Sequence, residues 1–156
     1  MDNLKIVPFK LDYKSEFEYL NRQWIEEYFV MEEEDLKTLQ NPESYVMEKG
    51  GEIFFAILND DVVGTAAMIP TSKGVYELAK MAVAKNFQGL GIGKKLLRRC
   101  IDFSIEKNAN EVFLITNDVL KPALNLYLSS GFVLNELNDD DRYDRGNTKM
   151  NLMLGE

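Results

Sequence analysis

The sequence predicts a mixed α/β fold, one twisted sheet of about seven strands with helices on both faces. Two β-rich apolar runs, residues 53–58 and 62–69, flank Asn59-Asp60-Asp61 as an antiparallel hairpin. After them the pattern alternates strand, helix, strand, helix and strand, the order that lays helices against a sheet. At 156 residues, a single domain spanning 1–156 with a proper core is expected.

The elements follow in order. Residues 4–9 alternate enough for a first strand. Residues 13–29 carry Phe17, Leu20, Trp24, Ile25 and Tyr28 at three- and four-residue steps, a helical period. A second short helix covers 32–39 and ends near Asn41-Pro42, because the residue before a proline resists the helical region. Gly50-Gly51 makes a turn into the hairpin. Residues 75–83 form the fourth strand, and 90–107 the central helix, with Leu97, Cys100, Ile101, Ser104 and Ile105 on its inner face. Strand alternation puts Val75, Glu77, Ala79, Met81 and Val83 on one face, and a bulge near the expected split is the alternative that would change this. Residues 112–116 are a fifth strand. A helix over 121–130 follows, with Pro122 in its first turn and Gly131 as its stop. Residues 132–137 and 148–154 close the sheet, and the acidic stretch 138–144 between them reads as a solvated loop, since the order of a calcium-binding EF-hand fails there.

Composition removes several function classes. The chain has no histidine, and therefore lacks the commonest general base, every Ser-His or Cys-His pair and the usual zinc ligand. One cysteine, Cys100, leaves no internal disulfide, and no metal site is expected. A formal charge of −8 argues against a nucleic-acid partner and mildly favours a cationic acceptor such as an amine. No apolar run approaches ~20 residues, so no membrane span is expected. The opening residues lack the basic-then-apolar order of a signal peptide, from which a cytoplasmic location is expected.

The stretch that carries chemistry is VYELAKMAVAKNFQGLGIGKKLLRR, residues 75–99. Gly89, Gly91 and Gly93 leave a backbone whose N–H groups can converge on one anion, and the following helix adds its positive dipole end. Lys94, Lys95, Arg98 and Arg99 follow, with no acid from 89 to 99 in a chain of 26 acidic and 18 basic side chains. A bound phosphate or pyrophosphate explains that reversal; a plain glycine turn beside a solvated basic helix face is the competing reading. A P-loop fails, because Gln88 and Lys95 stand where Gly and Ser or Thr are required. A Rossmann fingerprint fails on spacing, G-x-G-x-G in place of G-x-G-x-x-G.

Gln88-x-x-Gly91-x-Gly93, after a strand and opening a helix, resembles the acetyl-coenzyme A signature of the GNAT N-acetyltransferase superfamily. Residues 112–132 resemble its second signature, with Leu126, Tyr127, Gly131 and Phe132 in the Leu-Tyr-x-x-x-Gly-Phe pattern. Residues 20–42 resemble the N-terminal helices of a bacterial subgroup sometimes fused to MarR-type regulators. The resemblance implies a GNAT fold whose sheet splits between the fourth and fifth strands and receives the pantetheine arm of acetyl-CoA as co-substrate. It implies main-chain contacts along Met81, Ala82 and Val83. It places the pyrophosphate on amides from Gln88 and Gly89 through Gly91, Ile92, Gly93 and Lys94, with Asn117 as a further contact. Where the superfamily often has arginine, this chain has Gln88, and Lys94 is positioned to compensate for the missing charge.

The implied reaction moves an acetyl group to a primary amine of a small molecule, amino acid or peptide, by direct attack in a ternary complex. An ammonium near pKa ~10.4 must first lose a proton, at about 4.6 kcal/mol at pH 7, whereas a thiol near ~8.5 leaves readily. Removing the amine proton is the larger task. Glu77, six residues before Val83, matches the general base of the histone-acetylating branch; an ion pair is its alternative role. Tyr127 is the acid by family position, with a packing role as the alternative. Cys100 sits mid-helix with no base to activate it and is read as packing. Trp24, Tyr28, Phe29, Glu33 and Asp35 lie on the first two helices, which wall the acceptor pocket in the superfamily, and the acidic members are possible ammonium holders. Amphipathic helices that simply cover the sheet are the alternative reading, and Trp24, Tyr28 and Glu33 are the acceptor candidates. Competing functions are a non-catalytic acyl-CoA-binding regulatory module and a transferase of longer acyl groups. The superfamily is frequently dimeric, so a homodimer is a further expectation.

Overall fold

A computed structural model describes residues 3–135 and 146–155. Its strands are β1 (Leu4–Pro8), β2 (Glu52–Leu58), β3 (Asp61–Ser72), β4 (Val75–Val83), β5 (Glu111–Thr116), β6 (Val133–Asn135) and β7 (Thr148–Met153). Its helices are α1 (Lys14–Tyr28), α2 (Glu33–Gln40), α3 (Pro42–Tyr45), α4 (Ile92–Glu106) and α5 (Lys121–Ser129). All seven strands join one sheet in the order β1-β2-β3-β4-β5-β7-β6. The expected mixed sheet with helices on both faces is therefore present. Residues 136–145, which include the acidic stretch 138–144 and the end of the expected sixth strand, lie outside the described residues.

Local chemistry accounts for most boundaries. Leu58 pairs with Asp61 across a two-residue turn, with Asn59 at φ 51° and Asp60 at φ 71°. Both residue types tolerate the left-handed region that such a hairpin turn requires. The capping box of α2 is reciprocal: the Glu32 carboxylate accepts from the Asp35 amide, while the Glu32 amide donates to Asp35 Oδ2 at 2.9 Å. Pro42 does more than stop α2; it opens the short α3 as a first-turn proline, an element the pattern did not announce.

Two cores flank the sheet. One, under α4 and α5, gathers Phe54, Met68, Leu78, Leu96, Leu97 and Phe132. The other, under α1 and α2, gathers Phe17, Ile25, Leu39, Ile53 and Phe55. The inner stripe of α4 differs from the expected one. Ile105 is exposed and Ile101 only half-buried, whereas Ile92, Leu96 and Phe103 join Leu97, Cys100 and Ser104 inside. Two edge-on aromatic contacts, Phe103 with Phe54 and with Tyr76, each at 5.8 Å, orient the helix on that stripe.

Two features of β4 position everything that follows. First, β4 and β5 run parallel but pair only over Val75–Glu77 against Glu111–Phe113, and then diverge. Second, β4 is bulged. Thr65 pairs with Ala82 and Ala67 with Ala79, which leaves Lys80 and Met81 opposite the single Ala66. The bulge overturns strict alternation. Tyr76, Leu78, Met81 and Val83 share the α4 core at steps of two, three and two. Met81 and Val83 therefore face away from Glu77, in correction of the expected common face.

Leu96 is fully buried in the α4 core. Leu96→Ala is expected to lower unfolding stability by about 2–5 kcal/mol in urea titration; a loss under ~1 kcal/mol would contradict this assignment of the core.

Candidate functional site

Where β4 and β5 diverge, a cleft of about 460 Å³ opens. Its walls are residues 78–83 of β4, residues 114–116 of β5, the turn 91–94 with Gln88 and Gly89, and Ala123, Leu126 and Tyr127 of α5. Trp24 and Tyr28 reach it from α1. A smaller cavity of about 60 Å³ adjoins it on the α1 side, lined by Trp24, Phe29, Glu77, Lys80, Asn117 and neighbouring strand residues.

At one end of the cleft lies an unusual run of main chain. Among the described residues, no amide from 89 to 94 donates to a protein acceptor, and the first helical bond is Lys95 N–H to Gly91 O at 3.2 Å. Four of these donors, those of residues 91–94, are the inevitable orphans of a helix start. The rest are free because Gly89 and Gly91 hold φ at 80° and 85°, which turns the chain over the helix mouth. Gly93 packs closely: a Cβ there would lie 3.2 Å from Met81 Cε, a tight contact, and 3.5 Å from Leu126 Cδ2. Converging N–H groups at a helix N-terminus form an anion site, and the basic residues sort themselves around it. Lys94 lines the cleft. Arg99 does not: its guanidinium lies 4.7 Å over the Phe54 ring and 3.3 Å from Glu106. Gln88, where a charge was missing, donates from Nε2 to Val83 O at 3.0 Å and so ties the anion loop to the end of β4.

The catalytic candidates fall on opposite sides of β4. Glu77 is 4% exposed and lines the small cavity. Tyr127 is 7% exposed, lines the main cleft, and packs its ring 5.9 Å from Phe132. Burial pushes the Tyr127 phenol up to about 12. It is therefore a neutral donor throughout the physiological range, and only as pH rises through that value would the protonated form be lost. Packing against Phe132 is compatible with a donor role. Burial also pushes the Cys100 thiol up, well above its ordinary value, so it is no nucleophile at neutral pH.

The acceptor candidates separate. Trp24 lines both cavities, and Tyr28 the larger. Glu33 lines neither; its side chain is 82% exposed and 3.6 Å from Lys37. Asp35, read as a possible ammonium holder, already holds one: Lys80 Nζ lies 2.5 Å from its Oδ1, and both side chains are buried. Asn117 accepts from the Val119 amide at 2.9 Å, shaping the β5–α5 loop, and lines only the smaller cavity. Sequence reasoning missed Lys80 and Asn21. A lysine inside an apolar strand and an asparagine in an apolar helical stripe were the available signals.

Comparison with known proteins bears on this arrangement. The model of the acetyltransferase (GNAT) family matches residues 14–132. An acetyltransferase of the GNAT family from Staphylococcus aureus Mu50 superposes with a TM-score of 0.89 at 27% identity, over 97% of this chain and 99% of that one. A GNAT family acetyltransferase from Elizabethkingia anophelis, solved with acetyl-CoA bound, shares the fold at a TM-score of 0.67 and 22% identity, over 99% of this chain and 100% of the other. N-acetylaspartate synthetase of Danio rerio is 40% identical over 92 residues, 58% of this chain and 33% of that protein. The chain thus spans about a third of the length of such curated relatives.

Because Cys100 is fully buried, a thiol-reactive dye is expected to label the native protein at least tenfold more slowly than the urea-unfolded chain. Equal rates would place this thiol, and with it the α4 core, elsewhere.

Proposed function

The chain belongs to the acetyltransferase (GNAT) family, and from that premise we propose that it moves an acetyl group from acetyl-CoA to a primary amine. The observation that carries this reading is the pairing of a parted sheet with an unused amide cradle at one end of the part. The amides of residues 89–94, with Lys94 beside them, hold the diphosphate. The edge of β4 over Met81, Ala82 and Val83, no longer paired to β5, offers main-chain groups to the pantetheine arm. Acetyl-CoA supplies the activated acyl carbon as a thioester.

In this reading Glu77 takes the proton from the acceptor ammonium, from the small cavity on the α1 side. It is buried and lines that cavity together with Trp24, Phe29 and Leu78, where an acceptor amine entering from the α1 side would meet it. Tyr127 gives a proton to the departing sulfur from the opposite side of β4. The two cavities share residues 78–80, so acceptor and thioester can meet across the bulged strand. Transfer is direct, because the one cysteine is buried and protonated. Trp24 and Tyr28 line the acceptor's approach. The acceptor is a small amine, amino acid or peptide; the name of the N-acetylaspartate synthetase relatives puts acidic amino acids early in any screen.

Release of free CoA from acetyl-CoA, measured across amines, amino acids and short peptides, tests the proposal; tight cofactor binding with no release on any acceptor would favour a non-catalytic sensor. Glu77→Gln is expected to lower kcat at least 30-fold at pH 7 with acetyl-CoA affinity within threefold of wild type. Unchanged turnover across pH would remove Glu77 from the mechanism. With Tyr127 near 12, kcat is expected to show no falling limb from phenol ionisation below pH 10, and Tyr127→Phe to lower kcat about tenfold or more. Full activity in that variant would make Tyr127 a packing residue only.

A further inference from the structure

Lys80 is an unlikely residue for its place. It is an L-amino acid at φ 54° in the middle of a strand, and its charged side chain is 4% exposed. Left-handed backbone is strained for a residue with a Cβ, and burying an ammonium requires a partner. Neighbouring elements hold it from two directions. From α2, Asp35 places Oδ1 2.5 Å from Lys80 Nζ, and its own position is fixed because Oδ2 accepts from the Glu32 amide. From α1, Asn21 Nδ2 donates to Lys80 O at 3.1 Å and to Phe17 O at 3.0 Å, while its Oδ1 accepts from Trp24 Nε1 at 3.1 Å.

We infer that Lys80 is a positioning residue: its ion pair with Asp35, with Asn21 on its carbonyl, clamps the β4 bulge and so keeps Glu77 and the cofactor-facing residues on opposite faces of one strand. The three-residue step from Leu78 to Met81 exists only because Lys80 is the extra residue of the bulge. Were β4 to relax to continuous alternation, Met81 and Val83 would rotate to the face of Glu77 and Ala79. The two-sided site would then be lost, although the amide cradle at 89–94 would stay. The strain and the buried charge sit together where the sheet parts, and strain of this kind persists only where the surroundings over-determine it. Since α1 and α2 supply both anchors and Trp24 as well, the same clamp fixes the acceptor-side helices to the strand that faces the thioester.

The inference rests on the acetyl-transfer reading, and the test separates the two. Lys80→Met alone strands a buried carboxylate and risks misfolding, so the informative variant is Lys80→Met/Asp35→Leu, which replaces the pair by apolar residues of similar size. The double variant is expected to fold and to keep binding acetyl-CoA by calorimetry through the 89–94 cradle, more weakly than wild type because the 81–83 edge is turned. Its kcat is expected to be at least tenfold lower at saturating acetyl-CoA, and its crystal structure to show β4 in continuous register with β3. Wild-type kcat, or an unchanged bulge in that crystal, would overturn the inference and leave the pair a purely structural one. If the double variant does not fold, Asn21→Leu removes the other anchor, with the same fall in kcat at saturating acetyl-CoA and the same retained but weakened cofactor binding expected, and wild-type kcat contradicting. Should wild-type protein itself release no CoA with any amine, the acetyl-transfer reading fails, and the crystal of the variant alone decides the role of the clamp.

Discussion

Past Glu77 and Phe113 the two central strands stop pairing, and the molecule is organised around that parting. Strand edges in the middle of a sheet are costly to leave open, because their N–H and C=O groups demand partners. Here the opening is kept by what flanks it. The α4 and α5 core packs Met81 and Val83 from one side, and α1 and α2 hold Lys80 from the other. A ligand that brings its own amide groups restores the missing ladder, which is why a pantetheine arm suits the gap.

The amide cradle is the second half of the same constraint. Six consecutive N–H groups have no protein acceptor, and most belong to exposed residues, so they are available to solvent or to an anion. Glycines at 89 and 91 make the turn, and Gly93 lets the first turn of α4 close on Met81. Gln88 binds this loop to Val83 and so sets the distance between anion site and open strand edge. In the proposed function the cradle and the parting act as one recognition surface, one end electrostatic and the other a matter of backbone pairing.

How much of this was legible in the sequence depends on range. Hairpin, strand–helix alternation and glycine spacing are local signals, and they placed the seven strands and the mouth of α4 to within a residue or two at most described ends. The bulge is not local. A lysine in the apolar run VYELAKMAV signals a partner but not a bulge, because that partner and the anchor on its carbonyl come from Asp35 and Asn21, 45 and 59 positions away. The same gap in range explains the acidic helix α2. Glu33 and Asp35 are equivalent on paper, yet one is solvated beside Lys37 and the other is buried against Lys80. On α4, the period fixed the helix but not the rotation of its stripe, which Phe103 sets through contacts with Phe54 and Tyr76.

The central claim is that free main-chain donors at residues 89–94 grip a diphosphate. The most direct measurement is a ¹⁵N–¹H correlation spectrum of labelled protein titrated with coenzyme A. The account predicts that the largest downfield amide-proton shifts fall on residues 89–94, with slowed hydrogen exchange there and along residues 81–83. Saturating binding that moves other amides and leaves those six unchanged would contradict it.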